Sequence, residues 1–238
     1  MKQSSPLIES LRGLLRELER VPATKAGDIG TLGPPWDRCV PRGAVRPGLI
    51  VEWLTDHAGD GGGALACQWT RHFLERGGAL VIVDDDGEFY SPAAARYGLS
   101  LDRTIVVRPS NHKVVIWTLE QSLRCRGVAA TWCRLARLAD REFRRLQLAA
   151  ETGGGLGLFF RPATARAEPT WADLRWLVQP VAGGTEFSSS GRRIRLELLH
   201  CRVGTGGAAV LLDIDDEGAV HLVPELAAPT ARRRPARA

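Results

Sequence analysis

The hydrophobic positions of this chain follow two alternating patterns from residue 49 onward. Short continuous apolar runs, which are typical of strands buried on both faces, predict strands at 49–54, 79–83, 104–107, 128–132 and 156–160. Segments with helical periodicity lie between these runs, at 64–76, 92–97, 112–125 and 135–151. Because helices alternate with strands, we expect an α/β fold with a mostly parallel sheet flanked by helices.

The pattern changes toward the end of the chain. Three strand-rich runs lie at 171–181, 192–203 and 208–223. Glycine-rich turns separate them, one at Gly183-Gly184 and one at 204–207. Short turns of this kind join antiparallel strands, so we expect hairpin strands that close one end of the sheet.

An amphipathic helix is predicted ahead of this alternating region, at residues 6–20. Its apolar stripe consists of Leu7, Leu11, Leu14, Leu15 and Leu18. A segment rich in glycine and proline, residues 22–48, separates the helix from the first strand. A lone amphipathic helix either folds back on its own domain or docks on a partner.

These patterns divide the chain into three parts. Residues 1–48 hold the amphipathic helix and the Gly/Pro-rich linker, and residues 49–224 form the core. Residues 225–238 are an arginine-rich tail whose composition predicts disorder. We expect a single folded domain with an extension at each end.

Composition adds information on charge and compartment. The chain has 238 residues and a formal net charge of +5, carried mostly by arginine. A basic chain favours phosphate-bearing or acidic partners, although a GC-rich genome produces the same composition. The five cysteines form no C-x-x-C pair, the histidines do not cluster with them, and no apolar run approaches a membrane span. We therefore expect reduced thiols, no metal site and a cytoplasmic protein.

A glycine loop follows the first predicted strand. It contains Gly59, Gly61, Gly62 and Gly63, at the place where P-loop proteins hold nucleotide phosphates. The working signature adds a lysine for the phosphates and a hydroxyl for magnesium, but no Lys, Ser or Thr follows this loop until Thr70. The glycines therefore either bind an anion at a helix N-terminus or form a turn that replaces a disused site.

Several segments, taken in order, resemble the RecA recombinase core across residues 45–223. "GLIVEWL" is similar to the strand that enters the RecA phosphate loop. "VIVDDDGEFYSPAAARYGLSLDRTIVVRPS" resembles the second strand, its acidic turn, the Pro-led helix and the next strand. Within this superfamily, "WTLEQSLRCRGVAATW", "RRLQLAAETGGGLGLFFRP" and "RRIRLELLHCRVG" resemble the ImuA family. The resemblance implies a RecA-like, P-loop-type core.

The ImuA resemblance also implies a pathway and partners. Members of that family are accessory proteins of bacterial mutasome cassettes. We therefore expect a role in SOS-induced DNA repair and error-prone translesion synthesis. The expected partners are RecA, an ImuB-like Y-family polymerase homologue and a DnaE-type polymerase, together with DNA. No cofactor is expected.

The chain departs from the RecA pattern where catalysis would take place. RecA has a carboxylate at the end of its Walker B strand, whereas Cys133 and Arg134 follow the corresponding strand here. Phosphoryl transfer depends on such charge stabilisation, so we expect no catalytic residues. By position Asp86 resembles the residue that activates water in RecA. Asp84 and Asp86 are therefore candidates for a residual acidic site, with capping of the next turn as the alternative.

Two groups of arginines are candidates for binding DNA or a partner. One group recurs at three- and four-residue spacing within the helix predicted at 135–151, and comprises Arg137, Arg141, Arg144 and Arg145. Its alternative role is a solvated face paired with Asp140 and Glu142. The other group lies in the tail, and comprises Arg232, Arg233, Arg234 and Arg237. A flexible basic arm attracts nucleic acid by counterion release, unless this terminus carries no function.

Three functions are compatible with these features. The first is a non-catalytic RecA-like accessory factor, as the resemblance implies. The second is a divergent RecA-type ATPase that binds nucleotide through the glycines and Asp84–Asp86. The third is a cell-division inhibitor that resembles SulA, another RecA-like protein without ATPase motifs.

Overall fold

Nine strands and six α-helices make up the described part of the chain. A computed structural model describes residues 6–20, 31–57, 59–182 and 191–223. The strands are β1 (Ile50–Thr55), β2 (Ala79–Val83), β3 (Thr104–Val107), β4 (Val128–Arg134), β5 (Leu156–Pro162), β6 (Leu174–Val181), β7 (Arg192–Cys201), β8 (Ala209–Ile214) and β9 (Val220–Leu222). The helices are α1 (Pro6–Arg20), α2 (Trp36–Cys39), α3 (Gly62–Leu74), α4 (Ser91–Arg96), α5 (His112–Arg124) and α6 (Asp140–Gly153). Short 3₁₀ helices lie at Leu101–Arg103 and Ala163–Ala167.

All nine strands belong to one sheet, in the order β3-β2-β4-β5-β1-β6-β7-β8-β9. The pairs from β3 to β6 are parallel, and the pairs from β6 to β9 are antiparallel. This topology confirms the predicted α/β fold, with a mostly parallel sheet closed by antiparallel hairpin strands. It adds that β6 joins the two parts, because one edge pairs in parallel with β1 and the other pairs with β7.

Some predicted boundaries differ from the observed ones. The run at 208–223 divides into β8 and β9, because a turn closes where the backbone N–H of Gly218 donates to the carbonyl of Asp215. The helix predicted at 135–151 begins only at Asp140, since β4 continues to Arg134 and a short connection follows. The run at 171–181 becomes a strand only from Leu174.

Four tryptophans form the centre of the core on one face of the sheet. The rings of Trp36 and Trp69 meet edge-on at 5.3 Å, and those of Trp53 and Trp176 stack at 6.3 Å. Each of the four is at most 3% exposed. Trp36 comes from α2, within the segment predicted as a linker. Part of that segment therefore contributes to the core, while the boundary of the core at residue 49 stays a prediction.

The opposite face of the sheet is covered by α5, α6 and α1. Leu11 and Leu15 of α1 are buried in the same apolar cluster as Leu119 and Leu123 of α5. The amphipathic helix therefore folds back on its own domain in this structure. Its last turn packs closely against the turn between α5 and β4, because a Cβ added at Gly127 would lie 2.4 Å from the carbonyl oxygen of Leu18.

A buried ionic cluster lies within the apolar strand β1. Glu52 is fully buried, and its carboxylate accepts hydrogen bonds from Arg161 at 3.1 Å, Arg175 at 2.6 Å and Thr170 at 2.6 Å. Arg161 also donates to Glu168 at 2.6 Å. The cluster links β5, β1 and β6 to the segment that connects β5 with β6. Buried charges are stable only when they are paired in this way.

Neutralising the central carboxylate should strongly destabilise the fold. We expect Glu52→Gln to lower the free energy of unfolding by about 3–5 kcal/mol, because Arg161 and Arg175 would keep buried charges without their main counterion. Urea denaturation followed by tryptophan fluorescence measures the change. The exposed Glu17 on α1 supplies the control, and Glu17→Gln should leave the midpoint unchanged. Equal midpoints for both variants would contradict this account of the cluster.

Candidate functional site

A cavity of about 290 Å³ lies at the carboxyl ends of β1, β2 and β4. Its lining includes the glycine loop between β1 and α3, the acidic turn after β2 and the last residues of β4. Open α/β sheets bind ligands outside the carboxyl ends of their strands. The structure therefore brings the glycine loop and the acidic turn, which lie more than twenty residues apart in sequence, to one place.

The four loop glycines, Gly59, Gly61, Gly62 and Gly63, all line this cavity. Gly61 is the residue before α3 and has a φ of 99°, a left-handed conformation that favours glycine. A Cβ at Gly61 would lie 3.0 Å from Cγ2 of Ile194, which belongs to β7. The loop therefore packs closely against the antiparallel part of the sheet, and this contact gives Gly61 a steric reason to be glycine.

The loop contains its own anion, Asp60. This side chain is 7% exposed, and its Oδ2 accepts hydrogen bonds from the backbone N–H groups of Asp56 at 3.0 Å and His57 at 2.7 Å. Backbone N–H groups in such loops are the donors that bind phosphate in P-loop proteins. Here two of them already bind a carboxylate. Sequence reasoning missed Asp60, although an acid within a glycine loop was a visible signal.

The first hydroxyl after the loop serves the core. Thr70 is fully buried in α3, and its Oγ1 accepts a hydrogen bond from the indole N–H of Trp132 at 2.7 Å. Trp132 lies at the end of β4 and forms part of the cavity wall. This arrangement joins α3 to β4, and the threonine contacts a tryptophan of the wall.

The two candidate carboxylates of the acidic turn have different surroundings. Asp84 is 7% exposed, and its Oδ1 accepts hydrogen bonds from the backbone N–H groups of Glu88 at 2.9 Å and Phe89 at 3.2 Å. Asp84 therefore caps the turn. Asp86 is exposed at the rim of the cavity together with Asp85. The residual acidic site formed by Asp84 and Asp86 stays a prediction.

The end of β4 contributes a thiol and a guanidinium group to the cavity lining, those of Cys133 and Arg134. Burial, and then the neighbouring carboxylates Asp85, Asp86 and Asp84, raise the pKa of the Cys133 thiol well above its ordinary value. Arg134 forms an ion pair with Glu88 at 3.0 Å. The cysteine is therefore an uncharged wall residue at neutral pH, and the arginine already has a partner.

Aromatic side chains form much of the remaining wall, and sequence reasoning did not identify them as a group. They are Phe89, Tyr90, Tyr97, Trp132 and Phe160. The rings of Trp132 and Phe160 meet edge-on at 5.7 Å, and those of Trp132 and Phe89 at 6.5 Å. They come from four separate chain segments, so only the tertiary structure brings them together.

The four arginines predicted to share a face of α6 divide into two pairs. Arg144 lies over the ring of Trp171, 4.6 Å from its centroid, and Arg145 forms an ion pair with Glu120 of α5. Arg137 precedes α6 and Arg141 lies in its first turn, and both are exposed. The second pair is thus accessible at the same edge of the sheet as the cavity. The tail arginines Arg232, Arg233, Arg234 and Arg237 lie outside the described residues.

Two further observations concern the described residues as a whole. Among residues 6–20, 31–57, 59–182 and 191–223, no group of three or more His, Cys, Asp or Glu side chains is placed to hold a metal ion. Within the same ranges, every helix is too short or too polar to span a bilayer.

The sheet order and the loop-bordered cavity define a RecA-like core. This fold is similar to the crystal structure of the RadB recombinase, with a TM-score of 0.55 and 17% sequence identity. The match covers 75% of this chain and 92% of that one. No protein-family model matches the chain.

Sequence similarity narrows the assignment. The protein ImuA of Caulobacter vibrioides, from strains NA1000 and CB 15, is 31% identical to this chain over 195 residues, which covers 75% of this chain and 80% of the relative. The chain belongs to the ImuA family. The resemblance drawn from the motifs is thereby confirmed.

Removing the internal anion should loosen the loop. In Asp60→Ala the N–H groups of Asp56 and His57 lose their acceptor, so we expect a loss of about 1–3 kcal/mol in stability and faster amide exchange at both residues. Hydrogen–deuterium exchange by NMR measures the second effect directly. Asp86→Ala, in the exposed part of the neighbouring turn, is the control and should leave these amides unchanged. Unaltered exchange in Asp60→Ala would show that the carboxylate does not hold the loop.

Proposed function

We propose that this chain is a non-catalytic RecA-like accessory factor that acts in the cytoplasm, in SOS-induced DNA repair and error-prone translesion synthesis. Membership of the ImuA family and the RecA-like core support this role. By resemblance its partners are RecA, an ImuB-like Y-family polymerase homologue and a DnaE-type polymerase. It uses a RecA-type surface to contact them and its arginines to contact DNA.

The observation that carries the non-catalytic part of this proposal is the chemistry of the glycine loop. The loop lacks the P-loop lysine, and Asp60 places a carboxylate on the amides that would otherwise receive a phosphate. The hydroxyl of Thr70 is engaged with Trp132, and no acid ends β4. Removing a single stabilising donor from an active site typically costs about 2.7–4 kcal/mol. A site that lacks several of these stabilising groups should therefore hydrolyse little nucleotide.

Direct DNA binding is proposed for the arginines at the carboxyl edge of the sheet. Arg137 and Arg141 are exposed there and form no ion pair within the described residues. The tail arginines add four more cations by composition alone. Contacts of this kind position a protein on phosphates without reading base sequence, which suits an accessory factor that acts at many sites.

One observation favours a second candidate, the divergent ATPase. The glycine loop, Asp84 and Asp86 do border a single cavity, as that hypothesis requires. The charge around the cavity opposes it, since carboxylates outnumber guanidinium groups there and a triphosphate is itself highly negative. A SulA-like role ranks third, because family membership favours DNA repair over cell division.

Nucleotide turnover distinguishes the first two candidates. Purified full-length protein should show no saturable MgATP binding by calorimetry and no phosphate release above background, since the loop offers no cation to the phosphates. The comparison variant is Asp86→Ala, because an ATPase would depend on this residue. Magnesium-dependent hydrolysis that disappears in Asp86→Ala would overturn the accessory-factor proposal in favour of the ATPase.

Single-stranded DNA tests the nucleic-acid part of the proposal. We expect binding that weakens with salt, and Arg137→Ala/Arg141→Ala should reduce the slope of log affinity against log salt by about 1.4, since each phosphate contact contributes about 0.7 for single strands. Fluorescence anisotropy at several salt concentrations measures this slope. Arg38→Ala/Arg42→Ala removes the same charge from exposed positions elsewhere and should have a smaller effect. Equal losses in both double variants would mean that only net charge matters.

A further inference from the structure

The cavity beside the glycine loop has an unusual charge balance for a nucleotide-type site. Its lining contains two guanidinium groups, on Arg134 and Arg192, together with five carboxylates. The excess is three negative charges, before His57 is considered. The carboxylates are those of Asp60, Asp84, Asp85, Asp86 and Glu88. Such a cavity attracts cations and repels phosphates.

Most of these charged groups already have partners, which identifies the ones that remain available. Asp60 accepts from loop amides, Arg134 pairs with Glu88 at 3.0 Å, and Arg192 donates to the carbonyl of Gly59. Within the described residues, the exposed carboxylates Asp85 and Asp86 form no side-chain hydrogen bond or ion pair. Both cations of the lining are thus occupied, and two anions at the rim are not.

The third carboxylate of the acidic turn, Asp84, lines the same cavity. Oδ2 of Asp84 is buried and accepts no hydrogen bond, although the other oxygen of this carboxylate caps the turn. Oδ2 forms an ion pair with Nε of Arg108 at 3.7 Å, which is beyond hydrogen-bonding distance. Arg108 is itself largely exposed, with 71% of its side chain accessible. Both oxygens of Asp84 therefore have partners within the chain, and this carboxylate adds negative charge to the cavity wall without being available to a ligand.

The aromatic wall supplies the remaining chemistry. Tyr90 follows the acidic turn and is 69% exposed, so its ring presents a flat surface beside Asp85 and Asp86. Trp132 and Phe160 lie deeper in the same wall. A guanidinium group stacks on aromatic faces and donates to carboxylates with a planar set of N–H groups. A volume of about 290 Å³ is at the lower end of the range for ligand pockets, which suits a single side chain.

We infer that this cavity is a docking site for an arginine side chain on a polypeptide segment of a partner protein. The aromatic wall packs against the side chain, and Asp85 and Asp86 pair with its charge at the rim. This inference goes beyond the proposed function, because it requires neither DNA nor a particular pathway. It also gives the acidic turn a use in binding that does not involve a nucleotide.

The test measures binding of a fluorescein-labelled peptide, Gly-Ser-Arg-Arg-Ser-Gly, to the full-length protein at low and high salt. Binding should be saturable and salt-sensitive, and about tenfold weaker for the peptide in which citrulline replaces arginine, since citrulline is neutral. Asp85→Asn/Asp86→Asn should weaken binding by about five- to tenfold, and Tyr90→Ala by about threefold. Asp37→Asn/Asp102→Asn removes two exposed carboxylates elsewhere and should match the wild type.

A spectroscopic readout locates the bound peptide. The indole N–H resonance of Trp132 should shift on titration, because this ring lines the cavity, whereas that of Trp117, in α5, should not. Equal affinity for the citrulline peptide, or equal losses in the two double variants, would overturn the inference. A markedly higher affinity after Arg232, Arg233, Arg234 and Arg237 are all changed to alanine would also overturn it, since the chain's own tail would then be the occupant.

The same variants separate this inference from the proposed function. Asp85→Asn/Asp86→Asn should not weaken DNA binding, and Arg137→Ala/Arg141→Ala should not weaken peptide binding. Peptide binding without DNA binding would support the docking site and contradict the proposed DNA contact. DNA binding without peptide binding would support the DNA contact and contradict the docking site. Displacement of the peptide by MgATP at micromolar concentration would overturn the inference, because the cavity would then accept a triphosphate.

Discussion

The buried carboxylate of Glu52 joins the central strands of the sheet through ion pairs with Arg161 and Arg175. It lies at the centre of β1, between two arginines that belong to the neighbouring strands β5 and β6. A buried charge of this kind tolerates few alternative pairings, since any shift in register would leave it without a counterion. The cluster therefore aligns three parallel strands, and the end of β1 in turn places the glycine loop.

Contacts within the chain also account for the structure of the glycine loop between β1 and α3. In a nucleotide-binding protein the loop amides and a lysine remain available for phosphate. Here Asp60 accepts hydrogen bonds from two backbone N–H groups, and Thr70 accepts one from the indole N–H of Trp132. Ile194 of β7 packs against Gly61. Each contact ties the loop to the fold rather than to a ligand. A cavity lies beside this loop, and carboxylates outnumber guanidinium groups in its lining.

Accessible charge is therefore unevenly distributed around the carboxyl edge of the sheet. Arg137 and Arg141 are exposed near the start of α6, whereas Asp85 and Asp86 are exposed at the cavity rim. Arg144 and Arg145 contribute less to this edge, since Trp171 and Glu120 hold them. One edge of the sheet thus presents exposed groups of opposite charge at two places.

The fold class could be predicted from the sequence pattern, because alternating apolar strands and amphipathic helices at these lengths have few other arrangements. The sequence also shows directly that the glycine loop has no lysine. Which charged side chains are exposed and which are paired depends on the tertiary structure. Helical spacing placed Arg144 and Arg141 in one group. In the structure Arg144 lies instead over the ring of Trp171, a residue distant in sequence, whereas Arg141 is exposed. The apolar pattern of β1 likewise gave no sign that Glu52 is buried in an ionic cluster. No local pattern predicts that five aromatic side chains from four segments line one cavity. Such contacts depend on the packing of residues far apart in the chain, which only the folded chain specifies.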